Sequence, residues 1–245
     1  MSKKIALVTG ANKGIGFETA RQLGKQGVTV IAAARNKENG IKAVEQLKAE
    51  GIDAEFLQLD VDKEQEIRFA YEYILNRYGK LDILVNNAGI QVESNEWGIN
   101  TAATITEEVL RKTFDTNFFN VVKLTNTLLP LIKKSEAGRI VNLSSILGSL
   151  TLHADSSSPI YGSKLFAYDA SKTALNAYTV HLAASLSGTR IKVNSAHPGW
   201  VKTDMGSDAA PMHVIDGAKT SVELALLKED GPTGKYIHLG AELPW

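Results

Sequence analysis

Thr9-Gly10-Ala11-Asn12-Lys13-Gly14-Ile15-Gly16 follows the apolar run Ile5-Ala6-Leu7-Val8 and leads into a stretch of helical periodicity at 15–26. That order, strand then glycine turn then helix, decides the fold. Three glycines let the backbone turn sharply and let a pyrophosphate approach. The helix that follows offers free N–H groups and the positive end of its dipole. A glycine cluster alone would be a tight turn; its place between a first strand and a helix makes it a nucleotide-binding loop.

Outward from this loop, short β-branched runs alternate with longer amphipathic stretches. Runs at 5–8, 28–33, 54–59, 83–85, 140–143, 191–193 and 236–239 read as seven strands. Near-continuous apolar runs suit strands buried on both faces of a parallel sheet. Helical segments lie between them at 15–26, 38–50, 63–78, 106–133, 168–186 and 216–227. Gly27, Gly51 and Gly79 follow three of these, as helix ends often require. The pattern predicts an α/β fold: a doubly wound, Rossmann-type, seven-stranded parallel sheet, with ligand beyond the carboxyl ends of its strands. No linker or repeat divides the chain, so residues 1–245 form one domain that both binds the dinucleotide and carries the catalytic groups. The stretches 90–103 and 149–163 break the alternation after strand ends, where loops shape sites.

Composition excludes several classes. Twenty-seven basic residues balance 27 acidic ones, so no whole-molecule attraction to nucleic acid or anionic lipid is expected. The absence of cysteine rules out disulfides, thiolate metal sites and cysteine nucleophiles. No metal is expected. No apolar run approaches the ~18 residues of a membrane span, and the N-terminal apolar run is too short for a signal peptide. The expectation is a cytoplasmic protein.

The glycine spacing is Gly-x-x-x-Gly-x-Gly, and Asn86-Asn87-Ala88-Gly89 follows the fourth strand. Here the chain resembles the short-chain dehydrogenase/reductase family. The resemblance implies cofactor contacts from Gly10, Asn12, Lys13, Gly14, Ile15 and Gly16, and from Asn87, Ala88 and Gly89. It places Asp60 and Val61 at the adenine ring. The second strand ends Ala32-Ala33-Ala34-Arg35, with no acid before Arg35. A carboxylate there would accept from the ribose 2′-hydroxyl of NADH; Arg35 can instead pair its planar fork with a 2′-phosphate. Lys13 adds a nearby cation. The expected cofactor is NADPH/NADP+.

Tyr168-Asp169-Ala170-Ser171-Lys172 puts a phenol and an ammonium on one helix face. Carbonyl reduction needs hydride on carbon and a proton on oxygen. A phenol with its ordinary pKa near ~10 is a sluggish neutral-pH donor, and a neighbouring cation stabilises its phenolate. Tyr161 has its lysine, Lys164, at i+3 and fails the spacing. By the family resemblance Tyr168 and Lys172 also meet the nicotinamide ribose. Ser145 of the Ser144-Ser145 pair orients the substrate oxygen, and Asn117 opens the helix and completes a proton relay. Pro198, Gly199, Val201 and Thr203 are implied to support the nicotinamide.

Ser145 and Tyr168 are 23 residues apart, a separation that resembles the carbonyl-reductase branch, with an insertion at 149–163. His153, within it, is expected to be a solvated loop residue. The segment 205–216 is expected to form a substrate lid whose Met205, Met212 and Val214 favour an apolar ketone or aldehyde. Trp97 is a candidate for the pocket wall. Monomer and homo-oligomer both stay open. The alternatives are an NADP-dependent alcohol dehydrogenase running oxidatively, a non-catalytic NADP(H) sensor and a Rossmann-like methyltransferase. The sensor would not need the Tyr-Lys pair, and the methyltransferase has no use for it.

Overall fold

A computed structural model of the chain describes residues 3–93 and 101–245. Eight strands form one sheet: β1 (Ile5–Thr9), β2 (Thr29–Ala34), β3 (Ala54–Gln58), β4 (Ile83–Asn86), β5 (Arg139–Leu143), β6 (Lys192–Ala196), β7 (Tyr236–His238) and β8 (Ala241–Glu242). Their order is β3-β2-β1-β4-β5-β6-β7-β8. β1 to β7 pair in parallel, as the alternation predicts, while β8 runs antiparallel to β7. The eighth strand is the addition. Leu239 and Gly240, both left-handed at φ 45° and 79°, turn the chain back on itself. Two positive φ angles make the tight turn whose twist matches a hairpin, but Leu-Gly is not a sequence that announces one.

The helices are α1 (Gly14–Lys25), α2 (Lys37–Ala49), α3 (Glu64–Tyr78), α4 (Glu107–Phe114), α5 (Asn120–Ile132), α6 (Leu150–Ala154), α7 (Phe166–Ser185), α8 (Val214–Gly217) and α9 (Lys219–Ala225). Ile5 and Leu7 of β1 face a core shared with α3, α5 and α7. Ala6 and Val8 face the opposite core, shared with α1, α2 and α9. Alternate residues thus enter two separate apolar layers, which is why the strands read as unbroken apolar runs.

Three expected elements differ in detail. The long helix at 106–133 is interrupted by a π-helical stretch, Asp115–Phe119, between α4 and α5. The helix at 216–227 is divided into α8 and α9. The irregular insertion holds α6, whose first turn is capped by Ser149 Oγ accepting from the Leu152 N–H at 3.2 Å. Trp97 lies outside the described residues.

Candidate active site

A cleft of about 750 Å³ opens beyond the carboxyl ends of β1, β2, β3 and β4. Gly10 and the loop residues Asn12, Lys13, Gly14, Ile15 and Gly16 line it. Gly10 has φ +65°, a turn that only glycine makes cheaply, and a Cβ there would lie 3.0 Å from Asn87 Nδ2. α1 begins at this loop with no side-chain cap on its N-terminus, so its first N–H groups are left to a ligand. Arg35, exposed at the end of β2, also lines the cleft, and among the described residues no carboxylate pairs with it. Asp60, Val61, Ala88, Gly89 and Thr203 complete the expected wall.

Asn87 is tied into the scaffold. Its Nδ2 donates to the Thr9 carbonyl at 2.7 Å, and Thr9 Oγ1 accepts the Asn87 and Ala88 N–H groups at 3.0 and 2.9 Å. The motif after β4 therefore locks the glycine loop to the neighbouring strand. Lys13 forms an ion pair with Asp204 across the cleft mouth, a partner that local sequence does not reveal. Lys202 and Asp204 line the cleft as well. Pro198, Gly199 and Val201 do not: Val201 is buried and packs toward Gly217, while Gly199 lies against Met212.

The four expected catalytic side chains converge beside this cleft. Tyr168 and Lys172 sit in the first two turns of α7, with the Lys172 Nζ 5.6 Å from the Tyr168 ring centre. Ser145, just past β5, stands close enough to Tyr168 for its hydroxyl to pull the phenol's pKa down, and its Oγ accepts the Leu147 N–H at 3.3 Å. Lys172 is 5% exposed and donates to the Leu143 carbonyl at 2.8 Å. Asn117 lies in the π-helical stretch, whose widened turn is a feature common at functional sites. Its Oδ1 accepts from the Ile90 N–H, and its Nδ2 donates to the Ile90 carbonyl, both at 2.8 Å. Nδ2 also donates to Ser171 Oγ at 3.1 Å, and Ser171 Oγ donates to the Tyr168 carbonyl at 2.7 Å. Gly89 makes room for this meeting: a Cβ there would be 3.3 Å from Asn117 Oδ1 and 3.5 Å from Lys172 Nζ.

Burial governs the acidities. The Tyr168 phenol is pushed up to about 12 by desolvation, against the opposing hydrogen bond from Ser145. The Lys172 ammonium is pushed down to about 8, also by burial. A site withdrawn from water disfavours both phenolate and ammonium. Burial and Asp169 raise the phenol above its ordinary value, with the Ser145 hydroxyl opposing them.

His153 is a second correction. Its ring is largely withdrawn from solvent. Its Nε2 lies 2.9 Å from the Leu147 carbonyl and its Nδ1 3.0 Å from Lys164 Nζ. Burial lowers its pKa, so the neutral ring donates through Nε2 and accepts at Nδ1. It fastens the insertion to the start of α7, where its Nε2 is 3.3 Å from Asp169. Tyr161 is exposed and packs under Lys164. Tyr236 is an addition to the expected set. It is fully buried, and its hydroxyl donates to the Ser145 carbonyl. Its place on the last parallel strand gives no sequence signal of contact with residue 145.

The nucleotide-shaped cleft with a Tyr-Lys-Ser-Asn cluster at its end defines a dinucleotide-dependent oxidoreductase architecture. The short chain dehydrogenase family model matches residues 4–213, and the chain belongs to that family. Carbonyl reductase (NADPH) 1 of Mus musculus is 36% identical over 100% of this chain and 99% of its own. Among solved structures, the carbonyl reductase Sniffer of D. melanogaster superposes with TM-score 0.83 and 28% identity, covering 100% of both chains. A single-residue variant of actinorhodin polyketide ketoreductase, solved with NADPH, gives TM-score 0.83 at 28% identity, covering 97% of this chain and 95% of that one.

Proposed function

We propose that this chain is an NADPH-dependent reductase of ketone or aldehyde carbonyls. One observation carries the reading: Lys172 and Ser145 both stand beside Tyr168, and Lys172 and Asn117 lie against Gly89 of the glycine-loop cleft. The residues present fit the cofactor: an uncapped helix N-terminus for the pyrophosphate, and Arg35, with no carboxylate partner among the described residues, for the 2′-phosphate. NADPH, when bound, supplies the hydride. The Ser145 hydroxyl donates to the substrate carbonyl oxygen and holds it toward the phenol. Tyr168, kept protonated by burial, delivers its proton to that oxygen as the carbon accepts hydride, leaving an alcohol. Lys172, with Asn117 behind it, returns a proton to the phenolate. Carbonyl reductase (NADPH) 1 of Mus musculus, named for NADPH-linked carbonyl reduction, and the carbonyl reductase Sniffer support the same assignment.

Met205 and Val214 line the outer cleft and supply apolar surface, which favours an apolar carbonyl substrate. The same residues would serve alcohol oxidation, because the step is reversible; the direction follows the cofactor pool, which Arg35 ties to NADPH. The test is NADPH consumption against a panel of ketones, aldehydes and quinones, with Tyr168→Phe as control. Turnover by the wild type and its loss in the variant, with NADPH still bound, are the expected results. A Tyr168→Phe variant as active as the wild type would refute the assignment.

A further inference from the structure

Glu93 follows β4 by seven residues and is 5% exposed, with a carboxylate and no charged partner among the described residues. Its two oxygens take backbone donors from α7. Oε1 accepts the Ala167 N–H and Oε2 the Tyr168 N–H, both at 2.8 Å. These are the second and third N–H groups of the helix, the pair that an N-cap side chain normally satisfies. The residue in the N-cap position, Leu165, supplies no such bond. A distant segment therefore supplies the cap, and with it a negative charge at the positive end of the helix dipole.

We infer that Glu93 is a positioning residue for Tyr168, fixing the start of the catalytic helix in register with the loop that walls the cleft. The inference rests on the proposed role of Tyr168. The same short loop is held at Ile90 by both ends of the Asn117 amide, and at Gly89 it packs against Asn117 and Lys172. Glu93 extends that brace by three residues to the backbone of Tyr168 itself. Gln91 stiffens the span, its Nε2 donating to the Glu93 carbonyl at 2.9 Å. One loop thus sets the cleft wall, the relay asparagine and the proton donor relative to one another. A purely stabilising cap would not need to tie these three.

The experiment compares Glu93→Gln and Glu93→Ala with wild type and Tyr168→Phe. Gln keeps one acceptor but turns an NH2 toward an N–H; Ala removes both bonds. Misplacing a reacting group by about 1 Å can cost roughly 100-fold. The expected fall in kcat is therefore about tenfold for Gln and about 100-fold for Ala, with NADPH affinity within about twofold of wild type. Amide exchange at Ala167 and Tyr168, followed by NMR, is expected to quicken in Glu93→Gln, while Leu175 and Thr179 keep wild-type rates. A folded Glu93→Gln with wild-type kcat, or with kcat and NADPH affinity falling together, would overturn the inference; so would unchanged exchange at the two amides. If wild type reduces no carbonyl in the panel, the proposed function fails, and amide exchange alone then decides the role of Glu93. If Glu93→Ala does not fold, Glu93→Gln gives both readouts.

Discussion

The two ends of the cleft are built in opposite ways. At the proposed cofactor end the structure offers backbone geometry and exposed charge: a glycine turn, an uncapped helix and Arg35 on the surface. At the proposed catalytic end it rests on side chains set deeper in the fold, with Asn117 and Lys172 each at most 5% exposed and tied to backbone carbonyls. The first needs local sequence only. The second needs three chain segments to meet, around Asn117, Ser145 and the start of α7, and burial there shifts both the phenol and the ammonium toward their neutral forms. Binding and chemistry should therefore respond to different substitutions.

The largest effect is expected from Lys172→Met. Loss of the relay cation should lower kcat by roughly 10²–10⁴-fold. Folding stability should hold or rise, because a buried ammonium is costly and methionine fills similar space. Steady-state kinetics and urea unfolding on the same samples check this; equal losses of activity and stability would blur the contrast between the two ends.

Arg35→Ala comes next. Hydrogen bonds to charged groups are worth about 1.5–3 kcal/mol, so NADPH affinity should fall by roughly ten- to 100-fold while NADH affinity stays the same. Ala34→Asp should move the ratio of kcat/KM values toward NADH, by repelling the 2′-phosphate. Fluorescence titration with both cofactors measures the first, and initial rates the second.

A smaller effect belongs to Asp169, whose carboxyl is pushed up to about 8 from 3.8, chiefly by burial, with Glu93 reinforcing the rise. The folded chain then holds this proton more tightly than the unfolded chain. Its contribution is full below pH 3.8 and is lost as pH rises toward 8. Wild-type stability should decline relative to Asp169→Asn across that window, as read by urea midpoints at stepped pH. The titratable groups facing Asp169 are Glu93, the neutral His153 ring and Lys164. The smallest effect is expected from Asp204→Asn: both partners of the Lys13–Asp204 pair are exposed, so the melting temperature should not move.

Much of this is legible in the sequence, for a physical reason. The glycine loop, the Tyr-x-x-x-Lys pair and the apolar strand runs are local patterns, and local patterns survive without coordinates. The hairpin at Leu239-Gly240 is hidden because leucine seldom adopts a left-handed backbone. The break around Asn117 is implied by the family resemblance and not by periodicity, because the apolar pattern of 106–133 carries through the π-helical stretch. The phenol's acidity cannot be read from spacing, which reveals the neighbouring ammonium but not the burial that raises the phenol. Glu93 and Tyr236 act from 75 and 91 residues away, and nothing near Tyr168 or Ser145 in the sequence points to them.

The most direct measurement sets NADPH affinity beside kcat in Tyr168→Phe and in Arg35→Ala. Tyr168→Phe should bind NADPH within about twofold of wild type and lose at least about 100-fold in kcat. Arg35→Ala should lose affinity but, at saturating cofactor, keep its turnover. If affinity and turnover fell together in both variants, the cleft would not divide into a binding end and a chemical end.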